Sequence, residues 1–267
     1  MSFKLIDDVL LADKCGRGDH ARTAICNAEL NELGPVVEFC LQQSAVKDAV
    51  ADLSELVQTD VVKEIRRGLS SSSSLATAGT SLTPLALESL QISANDGVFV
   101  VPQWIAYSKR LQAAAKQAGF ATGVTAQFVG AFIELVDNAI THGGTPNTIL
   151  TAYSVQPGQF SYCVADNGVG ILNSLRRCSH YSELNDYCSA LETAVQDGES
   201  RLRNQPGRGR GFRQVQLSLA SLSGSLRFRS GDYALELNGR NLTYISARLS
   251  QKAFLQGFAA SISCDAA

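Results

Sequence analysis

Residues 128–171 read FVGAFIELVDNAITHGG (128–144), TPNTILTAYSVQPGQFSYC (145–163) and VADNGVGI (164–171), and this run decides the fold. At about 100° per residue, Phe128, Phe132, Leu135, Val136, Ala139 and Ile140 fall on one apolar arc of a helix over 126–142, while Glu134, Asn138, Thr141 and His142 fall on the other side. Gly143-Gly144 ends that helix. Two β-type runs follow, 147–155 and 159–165, separated by Gln156-Pro157-Gly158, whose turn chemistry makes the strands neighbours. The second run leads into Asp166-Asn167-Gly168-Val169-Gly170, an acidic bend in which glycines permit positive φ and close backbone approach. Amphipathic helix, paired strands and glycine bend in that order predict an α/β protein.

Working outward, Gly97 to Val101 is a short apolar run suited to a strand, and 103–118 reads as a helix. Downstream, Leu184, Tyr187, Cys188, Leu191, Ala194 and Val195 form the stripe of a helix over 183–197, with Ser182 as its N-cap and Gly198 at its stop. Residues 212–222 read as helix, and 225–229, 233–237 and 241–247 as strands. The expected architecture is a two-layer α/β sandwich with a mixed sheet. On the N-terminal side, Gly34-Pro35 to Gly68 reads as a helical block, with Val46, Ala49, Val50, Leu53 and Val57 at helical intervals. The small, polar, aperiodic stretch 70–81 reads as a linker. This divides the chain into a mainly helical N-terminal region (1–94), an α/β domain (95–250) and a C-terminal tail (251–267).

Composition bounds the function. The 267 residues carry 23 Lys+Arg against 25 Asp+Glu, a net charge of -2, so nucleic-acid binding through general basicity is excluded and any such contact must be local. No run of 18 apolar residues occurs, and the N-terminal MSFKLIDDVLLADK places two aspartates inside its apolar stretch, unlike a signal peptide. A cytoplasmic protein without a membrane partner is expected. Seven cysteines, none at the two-residue spacing of zinc or redox motifs, read as buried or incidental thiols, and three scattered histidines argue against a His-based metal cage.

Three segments carry chemistry. The Glu134/Asn138 pair shares one polar stripe with His142; taken alone, such a pair is an ordinary solvated helix face. The bend Asp166-x-Gly168-x-Gly170 offers a carboxylate acceptor beside bare backbone, which suits a flat ligand with an exocyclic amine but also serves as a tight turn. The third, Pro206-Gly207-Arg208-Gly209-Arg210-Gly211-Phe212, alternates glycines ahead of a helix and lies in a stretch (201–213) with five arginines and no acid, which aims N–H groups and positive charge at anionic oxygens. An RNA-binding arginine-glycine patch is the other functional reading of that stretch, although Phe212 is its lone aromatic.

ELVDNAITHG (134–143), ADNGVGI (165–171) and GRGRGF (207–212), in that order, resemble the three nucleotide-binding boxes of the GHKL or Bergerat-type ATPases, which include DNA gyrase, heat-shock chaperones, histidine kinases and mismatch-repair ATPases. The first box is most similar to that of anti-sigma-factor serine kinases and related bacterial signalling switches. The resemblance covers about residues 96–248 and implies a Bergerat-type fold that binds ATP and Mg²⁺. It implies that Asn138 ligates the metal, that Glu134 orients or deprotonates the attacking water or hydroxyl, and that His142 lies near the phosphates. By the same resemblance Asp166 accepts from the adenine amine, Gly168 and Gly170 shape the adenine pocket, Gly207, Arg208, Gly209 and Gly211 wrap the phosphates, residues 172–206 form a lid, and Thr243 helps hold adenine. The implied function is a regulatory protein kinase or slow ATPase acting through a protein partner. A catalytically silent, nucleotide-gated binding module would use the same residues. Two departures stand out: Arg210 replaces the usual Leu or Met, and His20 in CGRGDHART does not suit the long acceptor helix of a sensor histidine kinase. Residues 1–94 would then dock a partner or join two copies of the chain.

Overall fold

The computed structural model describes residues 2–4, 6–8, 33–45, 80–82, 85–93, 101–144, 148–196, 215, 224–241 and 244–266. In chain order these form α1 (Leu33–Ala45), β1 (Thr80–Leu82), β2 (Leu85–Ser93), α2 (Val101–Gln117), α3 (Thr122–His142), β3 (Thr148–Gln156), β4 (Gln159–Asp166), α4 (Gly170–Leu175), a 3-10 turn (Ser179–Tyr181), α5 (Tyr187–Ala194), β5 (Ser225–Asn241) and β6 (Tyr244–Asp265). The protein is α/β, built on one six-stranded sheet in the order β1-β2-β3-β4-β6-β5.

Every pairing among the described strands is antiparallel, where a mixed sheet was expected. The connections explain this. β3 and β4 are joined by Pro157 and Gly158, the latter at φ 75, which suits a two-residue reversal. β2 reaches β3 through two helical passes, α2 and α3, and two passes return the chain antiparallel where a single crossover helix would leave it parallel.

The apolar arc read for α3 is buried: Phe128, Phe132, Leu135, Val136 and Ala139 are each at most 1% exposed. Phe128 lies 5.3 Å from Phe160 and Phe132 lies 5.6 Å from Tyr162, ring centre to ring centre, so the even-numbered side chains of β4 face α3. Trp104 of α2 stacks on Phe132 at 5.2 Å, and Tyr107 meets Tyr153 edge-on at 5.6 Å. Each such pair contributes about 0.5–1.5 kcal/mol beyond its area burial.

The opposite face of the sheet is covered as well, so the two-layer expectation gives way to three layers. α1 packs on β4 and β6 with Leu33, Val36, Val37 and Phe39 buried, and Cys163 and Ser261 hydrogen-bond beneath it at 3.3 Å. A Cβ on Gly34 would sit 2.6 Å from Phe3 Cζ and 2.8 Å from Ser261 Cβ, so glycine sets how closely α1 approaches β6. Glu38 of α1 and Asp7 are buried against Arg227 of β5: Nε to Glu38 is 2.9 Å and Nη2 to Asp7 is 2.7 Å. Lys252 reaches Asp7 at 2.7 Å and Glu236 reaches Arg227 at 2.6 Å. Burial alone would lower the Arg227 pKa, but Glu38 and Asp7 outweigh it and hold the guanidinium above its usual range. For Arg229 burial prevails and lowers it, although Nη2 donates to the Ala253 carbonyl.

Other boundaries also shift. Val101 opens α2, and 94–100, where a strand was expected, lie outside the described residues. β2 precedes residue 95 yet pairs along its length with β3, so the sheet crosses the expected domain boundary. The expected helix at 183–197 begins only at Tyr187: Asp186 accepts from Ser189 N–H at 2.8 Å and caps it, while the Ser182 hydroxyl donates to the Ser179 carbonyl at 2.9 Å. The expected strands at 225–229 and 233–237 are one strand, β5, with irregularities around Gly231. The expected tail at 251–267 instead continues β6, which lies between β4 and β5. Of the helical block only its start, as α1, is described; the Ser-rich linker lies outside except Thr80 and Ser81 in β1, and of 212–222 only Val215 is described, helical and buried. No helix among the described residues is long and apolar enough to cross a membrane. Cys163 and Cys264 are free and buried, and burial pushes each thiol up to about 12.

Candidate functional site

The C-terminal end of α3 and the glycine bend meet at one end of the sheet. Val169 N–H donates to the Gly143 carbonyl at 2.8 Å, so the end of the helix carrying Glu134, Asn138 and His142 is bonded directly to the bend. A Cβ on Gly168 would collide with that same carbonyl, so only glycine allows this approach. Glu134, Asn138 and His142 are half-buried on successive turns, each step of four residues rising about 6 Å along the helix. Gly144, at φ 78, turns the chain away beyond them, and the Arg177 guanidinium lies beside it.

Asp166 ends β4 on the side of the sheet that faces α3, and it is 2% exposed. Its Oδ1 accepts from Gly168 N–H at 2.6 Å, whereas Oδ2 is buried without a hydrogen-bond partner. Burial pushes the carboxyl up to about 7, against the opposing effect of backbone hydrogen bonds from Gly168 and Phe258. A buried acceptor left unpaired costs about 1–3 kcal/mol, which a ligand donor would recover.

Around this carboxylate stand residues that the sequence did not single out. Phe258 faces Asp166 across the β4–β6 ladder. Gly257, at φ 74, lies so close that a Cβ there would collide with the Asp166 carbonyl. Gln256 donates its amide to the Gly168 carbonyl at 2.6 Å, and the Ser230 hydroxyl donates to the Gly257 carbonyl at 2.7 Å while accepting from Ile171 N–H at 3.0 Å. Gly231, between the two expected strands 225–229 and 233–237, was the available signal, because a glycine within strand-like sequence marks a bulge or a close approach of another backbone; Gly257 fell in the expected tail and gave none.

The structure thus joins the end of α3, just past His142, to the bend of Asp166, Gly168 and Gly170, while Asn138 and Glu134 lie one and two turns further back along the helix. Gly207, Arg208, Gly209, Gly211 and Thr243 lie outside the described residues. The lid segment is described as far as Gln196: α4, the 3-10 turn and α5 pack around Leu172, Leu175, Tyr181 and Ala190, and Tyr187 lies against Gly231. Among the described residues no group of three or more His, Cys, Asp or Glu side chains is arranged to hold a metal ion. A cation here would depend on Asn138 and on anionic oxygens supplied by a ligand. An open cavity of about 660 Å³ lies elsewhere, on the α1 side of the sheet, between Pro35, Arg227, Glu236 and Arg248. Comparison with known proteins finds no matching family model and no match among curated proteins.

Proposed function

We propose that this chain is a regulatory protein of the GHKL or Bergerat type that binds ATP with Mg²⁺ and acts as a protein kinase or slow ATPase through a protein partner. The observation that carries the reading is the Asp166 carboxylate: one oxygen fixed by Gly168 N–H, the other buried and unpaired, beside the end of the helix that bears Glu134, Asn138 and His142. That unpaired acceptor fits the exocyclic amine of adenine, so the residues present suit the nucleotide.

In this reading Asp166 holds the base, and Gly168 and Gly170 keep the backbone low enough for a flat ring. Asn138 would hold Mg²⁺ through its side-chain carbonyl, and His142, one turn further along the stripe, would lie toward the phosphates. The bound metal and triphosphate supply electrostatic stabilisation of phosphoryl transfer. Glu134 orients the attacking water or protein hydroxyl and accepts its proton. Gly207, Arg208, Gly209 and Gly211 would surround the phosphates, and the α4–α5 segment would lie over the nucleotide.

The Glu134→Ala variant tests the enzymatic half. Phosphate release or transfer should fall by about 10²–10⁴ while ATP affinity stays within about twofold, because a general base acts on the chemical step and not on the base or the metal. Equal activity in variant and wild type would remove Glu134 from the chemistry. A wild type that binds ATP yet turns over none with any partner would make the chain a nucleotide-gated module.

A further inference from the structure

The bend from Asp166 to Ile171 is held at two points besides its bond to α3. Ser230, fully buried, accepts from Ile171 N–H and donates to the Gly257 carbonyl, so one hydroxyl ties the bend to β6. Gln256, exposed and adjacent, ties the Gly168 carbonyl to the same strand. Both ties lead to Asp166: Gly168 N–H bonds its Oδ1, and Gly257 lies so close to its carbonyl that a Cβ there would not fit. The unpaired Oδ2 thus belongs to a residue whose following bend is bonded to α3, β5 and β6.

We propose that Ser230, assisted by Gln256, is the positioning residue that aims the free oxygen of Asp166, and thereby sets a preference for 6-aminopurine over 6-oxopurine nucleotides. The inference rests on the reading of this site as a nucleotide site. A 6-amino group donates to a carboxylate, whereas a 6-oxo group opposes it with a second acceptor, so discrimination depends on where that oxygen is held.

The experiment is equilibrium dialysis of the full chain with ATP and, separately, ITP, each with Mg²⁺, for wild type, Ser230→Ala and Gln256→Ala. Wild type should favour ATP. Ser230→Ala should lose about five- to tenfold of that preference, chiefly through weaker ATP binding with ITP nearly unchanged, as expected for one buried hydrogen-bond anchor. Gln256→Ala, at an exposed position that folding tolerates, should shift the ratio in the same direction by a smaller factor. A variant pair that weakens ATP and ITP equally, or leaves their ratio at the wild-type value, overturns the positioning role. A wild type that binds both nucleotides alike overturns the inference alone, whereas one that binds neither overturns the nucleotide reading and the inference with it.

Discussion

Asp166 titrates against its own burial, and that has a measurable consequence. Its folded pKa of about 7 stands above the ordinary 3.8, so its contribution to stability is fully present below pH 3.8 and is lost as pH rises toward 7. Above pH 7 the ionised carboxylate costs the fold on the order of 4 kcal/mol. Asp166→Asn keeps the shape and removes the titration. In urea unfolding the variant should therefore gain on the wild type by about 3 kcal/mol more at pH 8 than at pH 5. An identical gap at both values would mean that the carboxyl is solvated. Gly231 is set at the same scale: it holds φ 58, and a Cβ there would strike the Tyr187 ring. Gly231→Ala should lower the thermal midpoint and loosen α5 from β5, seen as faster amide exchange at Ala190 and Leu191. Unchanged exchange would show that the contact does not anchor the helix.

α1 is tied to the sheet by charge as much as by its apolar residues. Arg227, Arg229 and Lys252 face Asp7, Glu38 and Glu236 in a balanced set whose centre, Arg227, Arg229, Asp7 and Glu38, is buried while Glu236 reaches solvent. Removing one partner leaves an uncompensated buried charge, so Glu38→Ala should cost about 3–5 kcal/mol in chemical denaturation. A loss below about 1 kcal/mol would show that water reaches the network. The pairs of Arg227 with Asp7 and Glu38 were not legible in the sequence, because the partners lie 220 and 189 positions away and nothing in local pattern links them. The α3 stripe, the β3–β4 turn and the acidic bend were legible, because each is fixed by period or turn chemistry over a few residues. β6 was not: its alternation is interrupted at Gly257 and its C-terminal half is rich in Ala and Ser, so residues 251–265 lacked the β-branched signature of a strand buried on both faces. Ser182 was the expected cap, but its hydroxyl donates to the Ser179 carbonyl and Asp186 caps α5 instead.

On the scale of the whole molecule, a three-layer body places α1 on one face of the sheet and the α3 stripe with the Asp166 bend on the other. β5 serves both: Arg227 and Arg229 reach the charged set under α1, while Ser230 reaches the bend. The central claim is that the stripe and the bend hold one molecule of ATP with its metal. Titration calorimetry with ATP, with and without Mg²⁺, on wild type and Asp166→Ala tests it most directly. Wild type should bind saturably and more tightly with Mg²⁺, and Asp166→Ala should lose about tenfold or more in affinity. Binding that is the same in both proteins, or no binding by the wild type at any Mg²⁺ concentration, would contradict it.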